Sequence, residues 1–154
     1  SELDYTEILA HKRVAASATV ADAISHACSQ AALDLGVSAI ISTTQSGATA
    51  RMVSKYRPRA PIIAVTPDVT VARALTINWG VYPVIADRAE TVDQLFDIGE
   101  ESALKTGLVA EGDMVAMTAG VRTGRAGSTN LLLIHRIGDE VYSGIRPDVL
   151  SEDF

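Results

Sequence analysis

Short apolar runs alternate along this chain with longer segments in which apolar residues recur every three or four positions. The runs predict five strands, at residues 39–43, 62–66, 81–85, 114–118 and 131–134. Segments with helical spacing separate the first four runs, whereas none separates the last two. Helices between strands are typical of parallel crossover units, and a direct connection favours an antiparallel pair. The pattern therefore predicts a mainly parallel sheet with one antiparallel strand.

Capping residues set the boundaries of the predicted helices. Thr19 stands three positions before Asp22, a spacing that resembles a capping box, and Gly36 ends this first helix. The other helices are predicted from about Gly47 to Tyr56, from Asp68 through Asn78, and from Thr91 to Gly107. We therefore expect an α/β three-layer sandwich with helices on both faces of a five-stranded sheet.

A single α/β domain is expected at residues 19–138, because no internal repeat, low-complexity tract or break in the pattern divides this range. Residues 1–18 contain few large apolar side chains and are predicted to form a lead-in or linker helix. Residues 139–154 are interpreted as a C-terminal tail, to which the pattern assigns no structure.

Composition narrows the class of protein. Of 154 residues, 47% are hydrophobic and 21% are charged, which is typical of a globular domain. A net charge of −6 argues against a nucleic-acid partner. The first residues are charged, and no apolar run approaches the roughly 20 residues that span a bilayer. We therefore expect a soluble, cytoplasmic protein with no membrane partner.

The single cysteine, Cys28, excludes an internal disulfide and is consistent with a reducing compartment. It falls on the apolar stripe of the first predicted helix. This position predicts a small buried hydrophobic residue in preference to a reactive thiol.

The turn after the first predicted strand is the clearest candidate for binding chemistry. In AIISTTQSGATA, residues 39–50, a β-branched run gives way to hydroxyls and glycine before a helix begins. Backbone amides and the helix dipole favour an anion at such a turn, and hydroxyls add donors. The alternative is that the hydroxyls only cap the helix. The predicted phosphate-binding residues are Thr43, Thr44, Gln45, Ser46, Gly47 and Thr49.

A second candidate is the glycine-rich connection between the last two strands, residues 119–130. Glycine permits unusual backbone angles, and arginine grips phosphate through a fork of donors. The alternative is an ordinary turn with solvated arginines. Both segments follow the carboxyl end of a strand, where parallel sheets bind ligands, so they are expected to share one pocket. The residues predicted here are Arg122, Gly124, Arg125 and Gly127.

No catalytic or metal-binding set emerges, so no cofactor is expected in this chain. The histidines are scattered without a cysteine or carboxylate at ligand spacing. The alternation of the last strand predicts that His135 points outward, and Glu100 and Glu101 are interpreted as a solvated helix face. The segment SGATARMV lacks the spacing and lysine of a phosphate loop, and GVRTGRAG precedes a strand where a dinucleotide loop would precede a helix.

Several long blocks of the chain closely resemble the C-terminal domain of pyruvate kinase. They are RMVSKYRPRAPIIAVTPD at 51–68, WGVYPV at 79–84, GDMVAMTAG at 112–120 and GSTN at 127–130. LDYTEIL and TVADAISHA, near the start, look like the segment that leads into that domain from the catalytic barrel. The resemblance extends over nearly everything from Leu3 to Gly138.

The resemblance implies a regulatory role. Pyruvate kinase transfers phosphoryl from phosphoenolpyruvate to ADP with Mg²⁺ and usually K⁺, in a barrel domain that has no counterpart in this sequence. The chain alone is therefore expected to be inactive. In the family this domain binds an allosteric sugar phosphate or nucleotide and forms part of a homotetramer interface, so the implied partners are an effector, further copies and the barrel domain.

The family's T-x-S-G-x-S/T phosphate turn corresponds to Thr44, Ser46, Gly47 and Thr49, and its effector loop corresponds to 120–129. Ala48 occupies a position that is often basic in relatives. Residues 88–95 show no clear equivalent of the aromatic residue and arginine that hold a second phosphate. A monophosphate such as ribose 5-phosphate, glucose 6-phosphate or AMP is thus at least as plausible as a bisphosphate. Two alternatives are a purely assembling domain with a vestigial pocket and a free-standing enzyme that acts on a phosphorylated substrate.

Overall fold

Helices and strands alternate along the part of the chain that the computed structural model describes, residues 19–120 and 131–140. The helices are α1 (Val20–Leu35), α2 (Ala48–Lys55), α3 (Val69–Leu75) and α4 (Val92–Thr106). The strands are β1 (Ala39–Thr43), β2 (Ile62–Thr66), β3 (Val81–Ile85), β4 (Met114–Ala119) and β5 (Leu131–Arg136). None of the helices within these residues is long and apolar enough to cross a bilayer.

The strands form one sheet in the order β3-β2-β1-β4-β5. The first four are mutually parallel, and β5 runs antiparallel to β4, with Ala119 opposite Leu131. The predicted mainly parallel sheet with one antiparallel strand is therefore confirmed.

Two apolar clusters cover the two faces of the sheet, because successive residues of a strand point to opposite sides. Ile40 of β1 packs with residues of α1, α2 and α3 on one face. Ile41, its neighbour, packs with Phe96 and Ala103 of α4 on the other face. Strands buried on both sides are largely apolar, and the apolar runs at 39–41 and 62–65 made β1 and β2 recognisable as strands from their sequence.

The order of the strands reverses between β1 and β4. The chain proceeds from β1 to β2 and β3 on one side, and then returns to place β4 on the other side of β1. In open α/β sheets, the connections that leave the carboxyl ends of two such strands diverge and open a crevice for ligands. A ligand is therefore expected to bind beside the residues that follow Thr43 and Ala119.

The helix boundaries agree with the capping signals except at the end of α3. Thr19 Oγ1 accepts the amide of Asp22 at 3.0 Å, and Gly36 ends α1 with φ of 60°. The prediction that α3 continues through Asn78 is wrong, because the helix ends at Leu75. Asn78 instead donates its amide to Leu75 O and accepts the amide of Val81, a turn that leads the chain back into β3.

The interpretation of His135 as an outward-facing residue is also wrong. The His135 side chain is only 6% exposed, and its Nε2 lies 2.6 Å from Glu100 Oε2. Glu100 also accepts the amide of Gly138 at 3.0 Å, so it belongs to a packed contact and not to a solvated face. Both faces of β5 carry leucine, and alternation alone could not decide which face turns towards α4.

Candidate functional site

The turn between β1 and α2 lies at the carboxyl edge of the sheet, beside the point where the strand order reverses. Thr43 ends β1, and its hydroxyl donates to Thr118 O of β4 at 3.4 Å. Residues 44–47 then connect the strand to α2, which begins at Ala48. The parallel sheet thereby brings the predicted phosphate turn beside the end of β4.

Three amides in and beside this turn are already hydrogen-bonded. Thr44 N donates to Val65 O at 2.9 Å and so extends the sheet. Gly47 N donates to Thr44 Oγ1 at 2.9 Å, and Ala48 N donates to Ser46 Oγ at 3.3 Å. These bonds hold the conformation of the turn before any ligand binds.

The amides of Gln45 and Ser46 differ from these, because they donate to no acceptor among the described residues. Gln45 is exposed and Ser46 is half-buried, so solvent reaches both residues. Thr44 accepts a hydrogen bond through Oγ1 and retains its own hydroxyl proton as a donor. Two amides and a hydroxyl are the kind of donors that an oxyanion requires.

Gly47 is required for both the conformation and the packing of the turn. Its φ of 83° lies in the left-handed region, which side chains with a Cβ rarely adopt. A Cβ at this position would lie 3.2 Å from Arg51 Nη2, Val71 Cγ1 and Leu75 Cδ2. The backbone of the turn therefore approaches both its own helix and α3 at a point where only glycine fits.

Arg51 of α2 contacts this turn and was not among the residues predicted from the sequence. Its Nη1 donates to Ser46 O at 3.2 Å, so a guanidinium lies against the turn in a chain of net negative charge. The signal was present in the sequence. Arg51 follows Ala48 by three positions, and residues with that spacing share one face of a helix.

Of the remaining predicted residues, only some lie in the part of the chain that the structure describes. Thr49 is buried in the first turn of α2. Arg122, Gly124, Arg125 and Gly127 lie outside the described residues. What is described is that β4 ends at Ala119, opposite the first residue of β5, at the same edge of the sheet as the turn.

A cavity of about 310 Å³ lies at the opposite edge, before the amino ends of β1 and β2. Its walls are mostly apolar, with Leu33, Val37 and Pro61 among them and Arg59 as the charged member. Ligands of parallel sheets bind at the carboxyl edge, so this cavity is not the site that the topology favours.

Other reactive groups offer no competing centre within the described residues. No group of three or more His, Cys, Asp or Glu side chains there could hold a metal ion. Burial without a compensating charge raises the pKa of the Cys28 thiol to about 12, so the thiol stays protonated at neutral pH. The prediction that Cys28 is a buried packing residue is confirmed.

Comparison with known proteins gives a family for this arrangement. Residues 22–135 match the model of the family described as "Pyruvate kinase, alpha/beta domain". The matched range contains every described strand except the last residue of β5, together with the turn and Arg51.

Curated relatives agree with this match. The chain is 44% identical over 142 residues to a pyruvate kinase of Geobacillus stearothermophilus, covering 92% of this chain and 24% of the relative. It is 46% identical over 134 residues to a pyruvate kinase of Clostridium acetobutylicum, covering 87% of this chain and 28% of the relative. The chain therefore spans about a quarter of the length of the curated relatives that it matches.

Proposed function

The chain belongs to the family of the pyruvate kinase alpha/beta domain, and on this basis we propose that it is the regulatory domain of a pyruvate kinase. In this proposal the whole enzyme converts phosphoenolpyruvate and ADP to pyruvate and ATP. The reaction takes place in a barrel domain outside this chain, which also holds Mg²⁺ and K⁺. The present domain binds an allosteric ligand and is not itself catalytic.

The observation that carries this proposal is the turn from Thr44 to Gly47. It lies where the strand order reverses, begins α2 with a left-handed glycine, and keeps the amides of Gln45 and Ser46 without an acceptor among the described residues. A phosphate group fits these donors and the positive end of the helix. The ligand is a phosphorylated small molecule, either a sugar phosphate or AMP.

Regulation follows from a shift between two arrangements of the enzyme. A ligand that binds one arrangement more tightly stabilises it by the difference in binding free energy, typically about 1–3 kcal/mol in allosteric proteins. The turn is directly connected to β1 and α2 and touches β4 through Thr43. Phosphate binding at this point would therefore fix elements from both sides of the strand reversal.

Assembly into a homotetramer is the second part of the proposal, and the two edges of the sheet support it unequally. At the β3 edge, Gly80 O and Ala86 N form hydrogen bonds with β2. The backbone groups of alternate residues point to opposite sides of a strand, so those of Pro83 point away from β2. Because proline has no amide hydrogen, it interrupts the hydrogen-bonding edge there. β5 contains no proline, and no described strand lies beyond it. Pairing of β5 with another copy is therefore the better supported mode of self-association.

Calorimetry tests effector binding. We expect saturable binding of at least one of ribose 5-phosphate, glucose 6-phosphate, AMP and fructose bisphosphate, with affinity lowered about tenfold or more in Thr44→Ala and Ser46→Ala. Thr76→Ala is the control, because Thr76 is exposed and its hydroxyl donates to Arg73 O at the end of α3. Unchanged affinity in both site variants would contradict the proposal. If none of the four ligands binds, a purely assembling domain would be favoured instead.

A further inference from the structure

Four hydroxyl groups are buried without a hydrogen-bond partner among the described residues. They are Ser25 Oγ and Ser29 Oγ of α1, Ser42 Oγ of β1 and Thr118 Oγ1 of β4. Ser25 and Ser42 are fully buried, and Thr118 is 1% exposed. Buried hydroxyls are nearly always hydrogen-bonded, so a group of four unpartnered ones requires an explanation.

Two of these hydroxyls lie side by side on the sheet. Ser42 and Thr118 are direct partners in the parallel pairing of β1 with β4. Each follows by two positions a residue, Ile40 or Ala116, that packs in the same cluster as Cys28 of α1. Because residues two apart in a strand share a face, both hydroxyls project towards α1.

Ser25 lies at the same height on the facing helix. The connection of α1 to β1 is only three residues long, so the helix runs antiparallel to the strand. Ser25 precedes Cys28 by about one helical turn, roughly 5 Å, and Ser42 lies about 6.6 Å beyond Ile40 along β1. Both steps lead towards the carboxyl edge of the sheet and are similar in length, so we infer that Ser25 lies opposite Ser42 and Thr118.

The chemistry at this level of the interface is that of an internal water site. The facing side chains are Ser25, Ser42 and Thr118, whereas the layer below has Cys28, Ile40 and Ala116. The exchange of isoleucine for serine along β1 is expected to leave room between helix and sheet. A buried water requires two to four polar partners and typically makes about three hydrogen bonds. We propose that these hydroxyls bind internal water, which joins α1 to β1 and β4 directly beneath the phosphate turn.

Water in this position joins α1 to β1 and β4 by hydrogen bonds. In the layer below, the same elements are in apolar contact. The site is independent of the proposed effector, because it depends only on the hydroxyls of Ser25, Ser42 and Thr118 and on the packing of α1. Its ligand is water itself, bound in every state of the chain in which α1 rests on the sheet.

A high-resolution crystal structure of the chain and of its Thr118→Val variant tests the proposal. We expect water density within about 2.6–3.2 Å of at least two of the hydroxyl oxygens of Ser25, Ser42 and Thr118. Valine has the shape of threonine without the hydroxyl, and it should displace or disorder this water and lower Tm by about 3 °C. Hydroxyls bonded to main-chain carbonyls with no water between them, or a Tm that is unchanged or raised, would overturn the proposal.

A double variant separates a shared water from unrelated effects. If Ser42 and Thr118 bind the same water, the double variant that combines Ser42→Ala and Thr118→Val should lose less Tm than the sum of the losses in the two single variants. Fully additive losses would place the two hydroxyls on separate partners and overturn a common site. Thr66→Val is the matched control, since Thr66 is equally buried in the neighbouring strand but its hydroxyl accepts the amide of Asp68. Its loss should add fully to that of Ser42→Ala.

Discussion

The first turn of α2 differs from the first turns of the other described helices. At α1, α3 and α4 the N-cap residues are Thr19, Asp68 and Thr91, and each side chain accepts an amide of its own helix. At α2 the N-cap residue is Gly47, which has no side chain to do so. Thr44 and Ser46 of the preceding turn accept amides instead, at Gly47 and Ala48.

The first amides of a helix have no acceptor within the helix, and this chain satisfies them in two different ways. A capping side chain satisfies the helix amides but also occupies the space in front of them. The glycine start places no capping side chain at this position, and the amides of Gln45 and Ser46 precede the helix without a described acceptor. Three helices are thus capped by a side chain at their own start, whereas the turn before α2 keeps two amides that no described residue accepts, as the proposed phosphate site requires.

Gly47→Ala should produce the largest effect on this comparison. A Cβ at φ of 83° costs about 1–2 kcal/mol, and the contacts at 3.2 Å add to that cost, so we expect a loss of about 2–3 kcal/mol in the free energy of unfolding. Gly36→Ala is the matched control. Gly36 also has a positive φ, but no atom lies within 4 Å of its Cβ position, and a loss of only about 1 kcal/mol is expected.

Urea denaturation of both variants measures the difference. Equal losses would mean that Arg51 and the residues of α3 move aside freely, and that the turn before α2 is no more constrained than the end of α1. We also expect Gly47→Ala to bind phosphorylated ligands much more weakly, while Gly36→Ala binds them as the unmodified chain does.

Asp68→Ala tests the other half of the comparison. Asp68 Oδ1 accepts the amides of Thr70 at 2.8 Å and Val71 at 3.2 Å, so its removal should lower the free energy of unfolding by about 1 kcal/mol. Asp68→Asn keeps an acceptor and should retain most of that stability. Neither variant should alter the affinity for phosphate. A change in affinity would mean that a capped helix start also takes part in binding.

The same contrast explains which parts of the molecule could be predicted from the sequence. Caps at Thr19 and Thr91 were predictable because their chemistry is local and acts within three residues. β1 was predictable because its first three residues, 39–41, are apolar without alternation, as in a strand buried on both faces. The end of α3 was not, since the turn from Leu75 into β3 is set by where the sheet requires the next strand to begin.

Contacts between distant segments were the least predictable features. His135 and Glu100 are 35 positions apart, and only the packing of α4 on β5 brings them together. Arg51 lies on the face of α2 that carries Ala48, yet its contact with Ser46 O depends on how the turn folds back. The candidate site was thus predictable as a turn with suitable donors, whereas the charge beside it required the three-dimensional structure.

Arg51→Gln should weaken phosphate binding about fivefold while changing the stability of the domain only slightly. The substitution removes a positive charge that lies against the turn and a donor to Ser46 O. Lys55→Gln is the control, because it removes the same charge from the last turn of the same helix, where no contact with the phosphate turn exists among the described residues. Calorimetry at two salt concentrations measures both. Equal losses in the two variants would show that only net charge matters, and that Arg51 has no specific role.

The smallest expected effect concerns the charge of the ligand. Thr44, Gln45 and Ser46 have no side chain that titrates between pH 5.5 and 7.5. A phosphate monoester has a second pKa of about 6, so the fraction of dianion, and with it the affinity, should fall about fourfold between pH 7.5 and 5.5. Sulfate is a dianion at both pH values, and its affinity should not change. If sulfate binding falls equally, a titrating group of the protein contributes to the site, and the interpretation of the turn as a set of uncharged donors supported by one arginine is wrong.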